Sequence, residues 1–219
     1  LGAYNIKLGA VWSQGEDYAR SALILGSIGY SVGGPKNCIE RFFLKGPKDS
    51  KTKSLVNKLS KKYNKSGKEV RNQIKLKKNV VETDDLFYFD AGNAFQGMGT
   101  KTIGDFCNDL LGRSAQDPDL FQSSKYIMGG QKIEPVYIFK NSVCVPEEGE
   151  WIKISIRAPH DLILKMEDGK RPHVDSLVSL VNPNYSDGCH EERGATVIEK
   201  KRIPEYLDKF QKEINRFKR

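Results

Sequence analysis

Cysteine is scarce in this 219-residue chain, and its four copies, Cys38, Cys107, Cys144 and Cys189, form no CxxC pair and share no regular spacing. That excludes a disulfide-stapled scaffold or a zinc ribbon, both of which need cysteines at fixed intervals, and predicts reduced, mostly buried thiols. Histidine is rarer, with only His160, His173 and His190, and the adjoining Cys189 and His190 lack the further ligands of a metal cage. No apolar run approaches the roughly 18 residues of a membrane span, and no charged-then-apolar leader opens the chain. These absences predict a soluble, intracellular protein without a membrane partner. The first residue is leucine, so removal of a leader is compatible with this reading. GxSxG, HExxH and EF-hand patterns are missing too, which removes the hydrolase and calcium-binding classes that depend on them.

Positive charge, by contrast, is present and unevenly placed. Of a net +8, the stretch from Lys45 to Lys78 contributes thirteen cations against Asp49 and Glu69 alone, leaving 23 cationic and 26 acidic side chains elsewhere. An otherwise ordinary body thus carries one polycationic segment. Such a segment attracts phosphate backbones by releasing their counterions, an attraction that weakens steeply with salt.

The segment also has helical order. Between Thr52 and Tyr63 the apolar residues Leu55, Val56, Leu59 and Tyr63 recur at three- and four-residue steps, with lysines around the stripe, which predicts an amphipathic helix. Asn64 and Lys65 interrupt it, and Ser66-Gly67-Lys68-Glu69 has the spacing of a capping box, predicting a second helix through Val70 and Ile74. Residues 45–78 are therefore expected to form a basic helical hairpin, with Lys68, Arg71, Asn72 and Lys75 pointing away from the first helix.

The run from Leu59 to Ile74 resembles the core of a helix-turn-helix DNA-binding motif. In that resemblance Leu59 and Tyr63 close the first helix, Asn64 takes the left-handed turn position, Ser66 caps the recognition helix, and Val70 and Ile74 face inward. The resemblance implies that Arg71 pairs with guanine and Asn72 with adenine in the major groove, while Lys58, Lys61, Lys62, Lys65, Lys68 and Lys75 hold phosphates. A basic helical pair that binds nucleic acid with less sequence preference, and a merely solvated lysine-rich surface, are the alternatives that the residues leave open.

The rest of the chain predicts an α+β fold within a single domain spanning residues 1–219, with a helical N-terminal half, a mostly antiparallel sheet in the C-terminal half and a closing C-terminal helix. Strands are expected at Tyr4–Trp12, Leu86–Phe89, Val136–Phe139, Trp151–Ile156, Leu162–Met166 and Leu177–Val181, and helices at Asp17–Ile28, Thr102–Leu111 and from Pro204 onward. In the last helix Tyr206, Leu207, Phe210, Ile214 and Phe217 make one apolar stripe, and Pro204 suits its first turn.

Two stretches suggest chemistry. Gly92 to Thr102 is a glycine-rich loop between a strand and a helix, the place for a phosphate cradle, but Gly97 is followed by Met98 rather than by the lysine a P-loop requires. Further on, Asp187, the run Thr196-Val197-Ile198 and then Glu199-Lys200-Lys201 resemble the acidic-residue, spacer, (Asp/Glu)-x-Lys arrangement of metal-dependent restriction-type nucleases. That resemblance implies Asp187 and Glu199 as magnesium ligands and Lys201 as the electrostatic partner of the attacked phosphate. The leading expectation is a DNA-binding protein with no cofactor, the remainder of the chain serving dimerisation, partner binding or effector sensing. A magnesium-dependent endonuclease and a non-specific packaging protein are the competing expectations, and a homodimer is among the arrangements left open.

Overall fold

The computed structural model describes residues 18–46, 49–114, 117, 120, 122, 124–134, 137–140, 143–180 and 187–218. Where the sequence reads as one body, contacts divide it into two compact units, one comprising residues up to Gly67 with Gly97–Thr102, the other Lys68–Gln96 with the residues from Ile103 on. The class is α+β: a helical N-terminal half, a six-stranded, mostly antiparallel sheet, and a helix at the C-terminal end. The strand expected at Tyr4–Trp12 lies outside the described residues.

In the first unit, α1 (Tyr18–Leu23) runs into a wide helical turn over Ile24–Ile28, and after Gly33 a short α2 (Gly34–Asn37) leads into a second wide turn over Cys38–Phe43. Ile24, Leu25, Ile28 and Phe42 are buried together with Leu59 of the following long helix, α3 (Ser50–Lys75). Gly29 makes this approach possible, because a Cβ there would stand 2.7 Å from the Leu25 carbonyl oxygen and 2.9 Å from Leu59 Cδ1. The glycine-rich loop closes onto the same layer: Ser31 N–H donates to the Gly97 carbonyl at 3.0 Å and Gly99 N–H to that of Ser27 at 2.7 Å. Its glycines therefore serve a turn and a close backbone contact.

The expected hairpin is not formed; α3 is one unbroken 26-residue helix. Its buried or half-buried positions, Thr52, Val56, Leu59, Tyr63, Gly67, Val70 and Ile74, continue at three- and four-residue steps through the proposed turn without a change of phase. Asn64 and Lys65 fall on the exposed side of that stripe, and only Lys77 and Asn79 among described non-glycine residues have positive φ. Ser66 and Glu69 have capping-box spacing, but three residues apart is equally one turn of helix interior, and here it is the latter.

Ends of α3 are set locally. Asp49 accepts from the Thr52 N–H at 2.8 Å and from the Thr52 hydroxyl at 2.9 Å, an N-cap that also draws its carboxyl below the usual range, chiefly through the backbone bond. At the other end Lys78 N–H donates to Gln73 carbonyl and Lys77 N–H to Ile74 carbonyl, both at 2.8 Å, while Lys77 takes a φ of 53°. This is a Schellman ending with lysine where glycine is usual. Lys77→Gly is therefore expected to raise stability by about 0.5–1 kcal/mol, since relief of left-handed strain exceeds an exposed ion pair. Chemical denaturation with an unchanged m-value measures it.

In the second unit the sheet order is β1-β2-β3-β6-β8-β7, built from β1 (Val80–Glu82), β2 (Leu86–Asp90), β3 (Tyr126–Lys132), β6 (Trp151–Arg157), β7 (Asp187–His190) and β8 (Arg193–Glu199). Among the described residues only β2 and β3 pair in parallel, which requires a crossover, and α4 (Thr102–Ser114) lies between them in the chain. One face of the sheet buries Phe87, Phe89 and Ile127, and Gly129 there leaves no room for a side chain: a Cβ would sit 2.6 Å from Phe89, 2.7 Å from Cys107 Sγ and 3.0 Å from Ile103. On the other face Tyr88, Met128, Ile152, Ile154 and Ile156 pack with Leu162 and Met166 of α5 (His160–Glu167), Leu177 and Val178 of α6 (Val174–Ser179), and Tyr206, Phe210 and Ile214 of α7 (Ile203–Phe217). Strands β4 (Tyr137–Lys140) and β5 (Val143–Pro146) make a separate antiparallel pair.

Two expected strands are helices. In Leu162–Met166 the contiguous Leu-Ile-Leu run suggested a buried strand, yet Leu162 and Met166, four apart, are buried while Leu164 between them is 52% exposed, which is helical spacing. Val174, Leu177 and Val178 repeat that logic in α6.

One buried carboxylate ties this unit together. Asp85, in the β1–β2 turn and 5% exposed at its side chain, meets Arg171 at 3.0 Å, Lys218 at 2.6 Å and the Gln211 amide at 2.9 Å. Gln211 Oε1 in turn accepts from the Thr83 hydroxyl at 2.6 Å. Burial is the largest single influence on Asp85 and acts to raise its pKa, but the Lys218 and Gln211 hydrogen bonds with the nearby charges together leave it below the ordinary aspartate value.

Candidate nucleic-acid interface

The helix that replaces the hairpin arranges its cations by periodicity. At 3.6 residues per turn, Lys51, Lys58, Lys62 and Lys65 fall within an arc of about 60° opposite the buried stripe, and the row is roughly 21 Å long. Lys61 flanks it, and all five side chains are exposed. None of the five has a carboxylate partner among the described residues. Lys68 is likewise exposed and without one.

Part of this face forms a groove of about 490 Å³ lined by Arg41, Ser50, Lys51, Ser54, Leu55 and Lys58. Three cations and two hydroxyls line it with Leu55, and among the described residues no acidic side chain does. Arg41 is brought there from the turn over Cys38–Phe43: its carbonyl accepts from the Thr52 hydroxyl at 3.3 Å and its Nε donates to the Asn37 side chain at 2.9 Å. Arg41 and the two serines were not legible as site residues in the sequence. Arg41 precedes the helix and shares no periodicity with it, so only tertiary contact reveals it.

The residues expected to read bases behave otherwise. Arg71 is bound to Asp109 of α4 at 2.9 Å and is 20% exposed, with its guanidinium 5.9 Å above the Phe106 ring. Lys75 meets Asp117 at 2.6 Å. With Asn72, Arg113 and Leu120 they line a cleft of about 330 Å³ that contains Asp117 itself, and Arg113 is paired to Asp109 as well. The chain's own carboxylates thus neutralise the cations there. Ser66 sits half-buried in mid-helix rather than at a helix start. Arg71, Asn72, Lys75 and Ser66 do not form the recognition surface that the helix-turn-helix resemblance implies, because the turn it depends on is absent.

The residues of the nuclease-like pattern are spread over two strands and the turn that follows them. The backbone of Asp187 in β7 pairs with Ala195, whereas Glu199 lies four residues farther along β8 opposite Trp151. At about 3.3 Å per residue that offset is roughly 13 Å along the strand. Glu199 Oε1 is 2.6 Å from the Lys201 Nζ, so the carboxylate and lysine of the motif neutralise each other at a sheet corner where Lys201 is 76% exposed.

No family model matches the chain, and no curated protein matches its sequence. No helix among the described residues is long and apolar enough to cross a membrane.

Proposed function

We propose that the protein binds nucleic acid, DNA being the first ligand to test, through the lysine face of α3, and that it holds phosphates rather than reading base edges. The observation that carries this reading is the contrast along one helix: Lys51, Lys58, Lys61, Lys62 and Lys65 are exposed without acidic partners among the described residues, while Arg71 and Lys75 are held by Asp109 and Asp117. An unneutralised row of this kind gains free energy from releasing counterions of a polyanion, a gain that does not depend on sequence. Groove readout by Arg71 and Asn72 loses support for the same reason, since Arg71 would have to abandon a half-buried carboxylate to reach a base.

The test is a binding titration with random-sequence oligonucleotides at several salt concentrations. The reading requires log Kobs to fall linearly with log[salt] and different sequences to bind alike; affinity that ignores ionic strength would remove it. Arg71→Ala separates the two modes: it is expected to leave oligonucleotide affinity within about twofold while costing about 1 kcal/mol of folding stability through the lost Asp109 pair. A tenfold loss of affinity at one sequence but not at others would restore base readout.

A further inference from the structure

At one end of the lysine row the cations converge instead of standing in line. Lys51 and Lys58 are separated by roughly 10 Å of helix axis, and the groove brings Arg41 in beside both of them, together with the Ser50 and Ser54 hydroxyls. Arg41 is anchored for this position. Its Nε donates to Asn37 Oδ1 at 2.9 Å, and the Asn37 amide in turn donates to the Val32 carbonyl. The guanidinium is thus fixed by one edge, and its two Nη atoms make no hydrogen bond among the described residues. Asp49 feels the charge of Arg41, but its carboxylate accepts from the Thr52 N–H and hydroxyl and is not among the groups lining the groove.

An internal phosphodiester carries one negative charge on two free oxygens, and the chain must leave it on both sides. A terminal phosphate monoester carries about −1.5 to −2 charges near neutral pH on three oxygens, and the chain leaves it on one side only. Three cations and two hydroxyls suit the second better than the first: a guanidinium fork takes two phosphate oxygens at once, the ammonium groups offset the remaining charge, and a hydroxyl can donate to the third oxygen. Position argues the same way. Lys51 and Lys58 are the first two members of the row and α3 begins at Ser50, so a strand lying along Lys62 and Lys65 toward the helix start reaches its end in the groove. The volume of about 490 Å³ is that of a small-ligand pocket and exceeds a phosphate alone, which leaves Leu55 as an apolar contact for the terminal sugar.

Resting on the nucleic-acid reading above, we infer that the groove of Arg41, Lys51 and Lys58 takes a terminal phosphate monoester, so that the protein prefers nucleic-acid strands with phosphorylated ends.

The experiment compares three single-stranded DNAs of random sequence at equal salt on the full chain: a 12-nucleotide strand with a 5′-phosphate, a 12-nucleotide strand with a 3′-phosphate, and a 13-nucleotide strand with hydroxyls at both ends. All three carry the same number of phosphates, so counterion release along the row is closely matched and the monoester is what differs. Expected is a preference of about tenfold for at least one phosphorylated strand over the hydroxyl-ended one, the gain of added charge-assisted hydrogen bonds. Arg41→Ala should bring that ratio down to about twofold and Ser54→Ala should lower it about threefold, whereas Lys65→Ala, outside the groove, should weaken all three strands alike and leave the ratio as it was. Circular dichroism confirms that each variant folds, and because Ser54 is exposed on a helix its substitution probes the groove even if Arg41→Ala disturbs the turn. Equal affinity for the three strands, or a ratio that survives both Arg41→Ala and Ser54→Ala, overturns the inference and keeps the nucleic-acid reading. Failure to bind any of the strands overturns both.

Discussion

Replacing Lys51, Lys58, Lys62 and Lys65 together by alanine is expected to lower oligonucleotide affinity by roughly 10²–10³-fold near 0.1 M salt and to reduce the slope of log Kobs against log[salt] by about 3. The magnitude follows from counting: each phosphate neutralised releases about 0.7 counterion from a single strand and about 0.9 from a duplex. The four side chains are on the exposed face of the helix, so folding should survive the change. Alanine is also the better helix former, which works in the same direction. A slope that stays the same would mean that the phosphates are held elsewhere on the molecule. As an internal contrast, Lys75→Ala should change the slope little, because Lys75 already spends its charge on Asp117.

Asp85→Ala should be the most damaging single substitution in the second unit, with a loss of about 3–5 kcal/mol, because it strands a guanidinium and an ammonium that now share one buried carboxylate. Two side-chain nitrogens of Arg171, Nε and Nη1, are buried without a hydrogen-bond partner among the described residues, so its bond to Asp85 through Nη2 carries much of what compensates its desolvation. Asp85→Asn keeps the shape and removes the charge, and its stability should fall between wild type and alanine. The acid limb of stability carries the same signature. Asp85 has a folded pKa below its ordinary value, so its contribution is fully present above that ordinary value of about 4 and is lost as pH falls through the lowered one. Between pH 5 and 2 the wild type should lose stability more steeply than Asp85→Asn, as measured by urea unfolding at each pH. Parallel pH profiles would place the acid sensitivity elsewhere.

The two predictions draw on different kinds of information. That a polycationic stretch exists, that it is amphipathic, and that it is helical were readable from the spacing of Leu59, Tyr63, Val70 and Ile74 and from the thirteen cations around them. Its division into two helices was read from Asn64 and from the Ser66 to Glu69 spacing, both local signals that a helix interior tolerates. The deciding signal was also local, the unbroken phase from Tyr63 through Gly67 to Val70, but it counts only if a small residue is accepted as part of a buried stripe. A glycine on the inner face of a helix marks close approach as readily as it marks an end. The same difficulty misassigned Leu162–Met166, where an apolar triplet looked like a strand until burial showed that its middle member faces out.

Sequence alone determined the class of the fold, the C-terminal amphipathic helix with Pro204 in its first turn, the strand expected at Leu86–Phe89, and the concentration of charge in α3. These follow from near-neighbour regularities, which a chain expresses wherever it is placed. Only the tertiary structure decided which cations remain available, since Asp109 and Asp117 reach Arg71 and Lys75 across more than thirty residues of intervening chain. It also decided that Arg41 joins Lys51 and Lys58 and that the backbone of Asp187 pairs with Ala195, four residues from Glu199. A charge is written in the sequence, but whether it is neutralised depends on what folds against it, because Coulomb interactions act over distances in space and not along the chain.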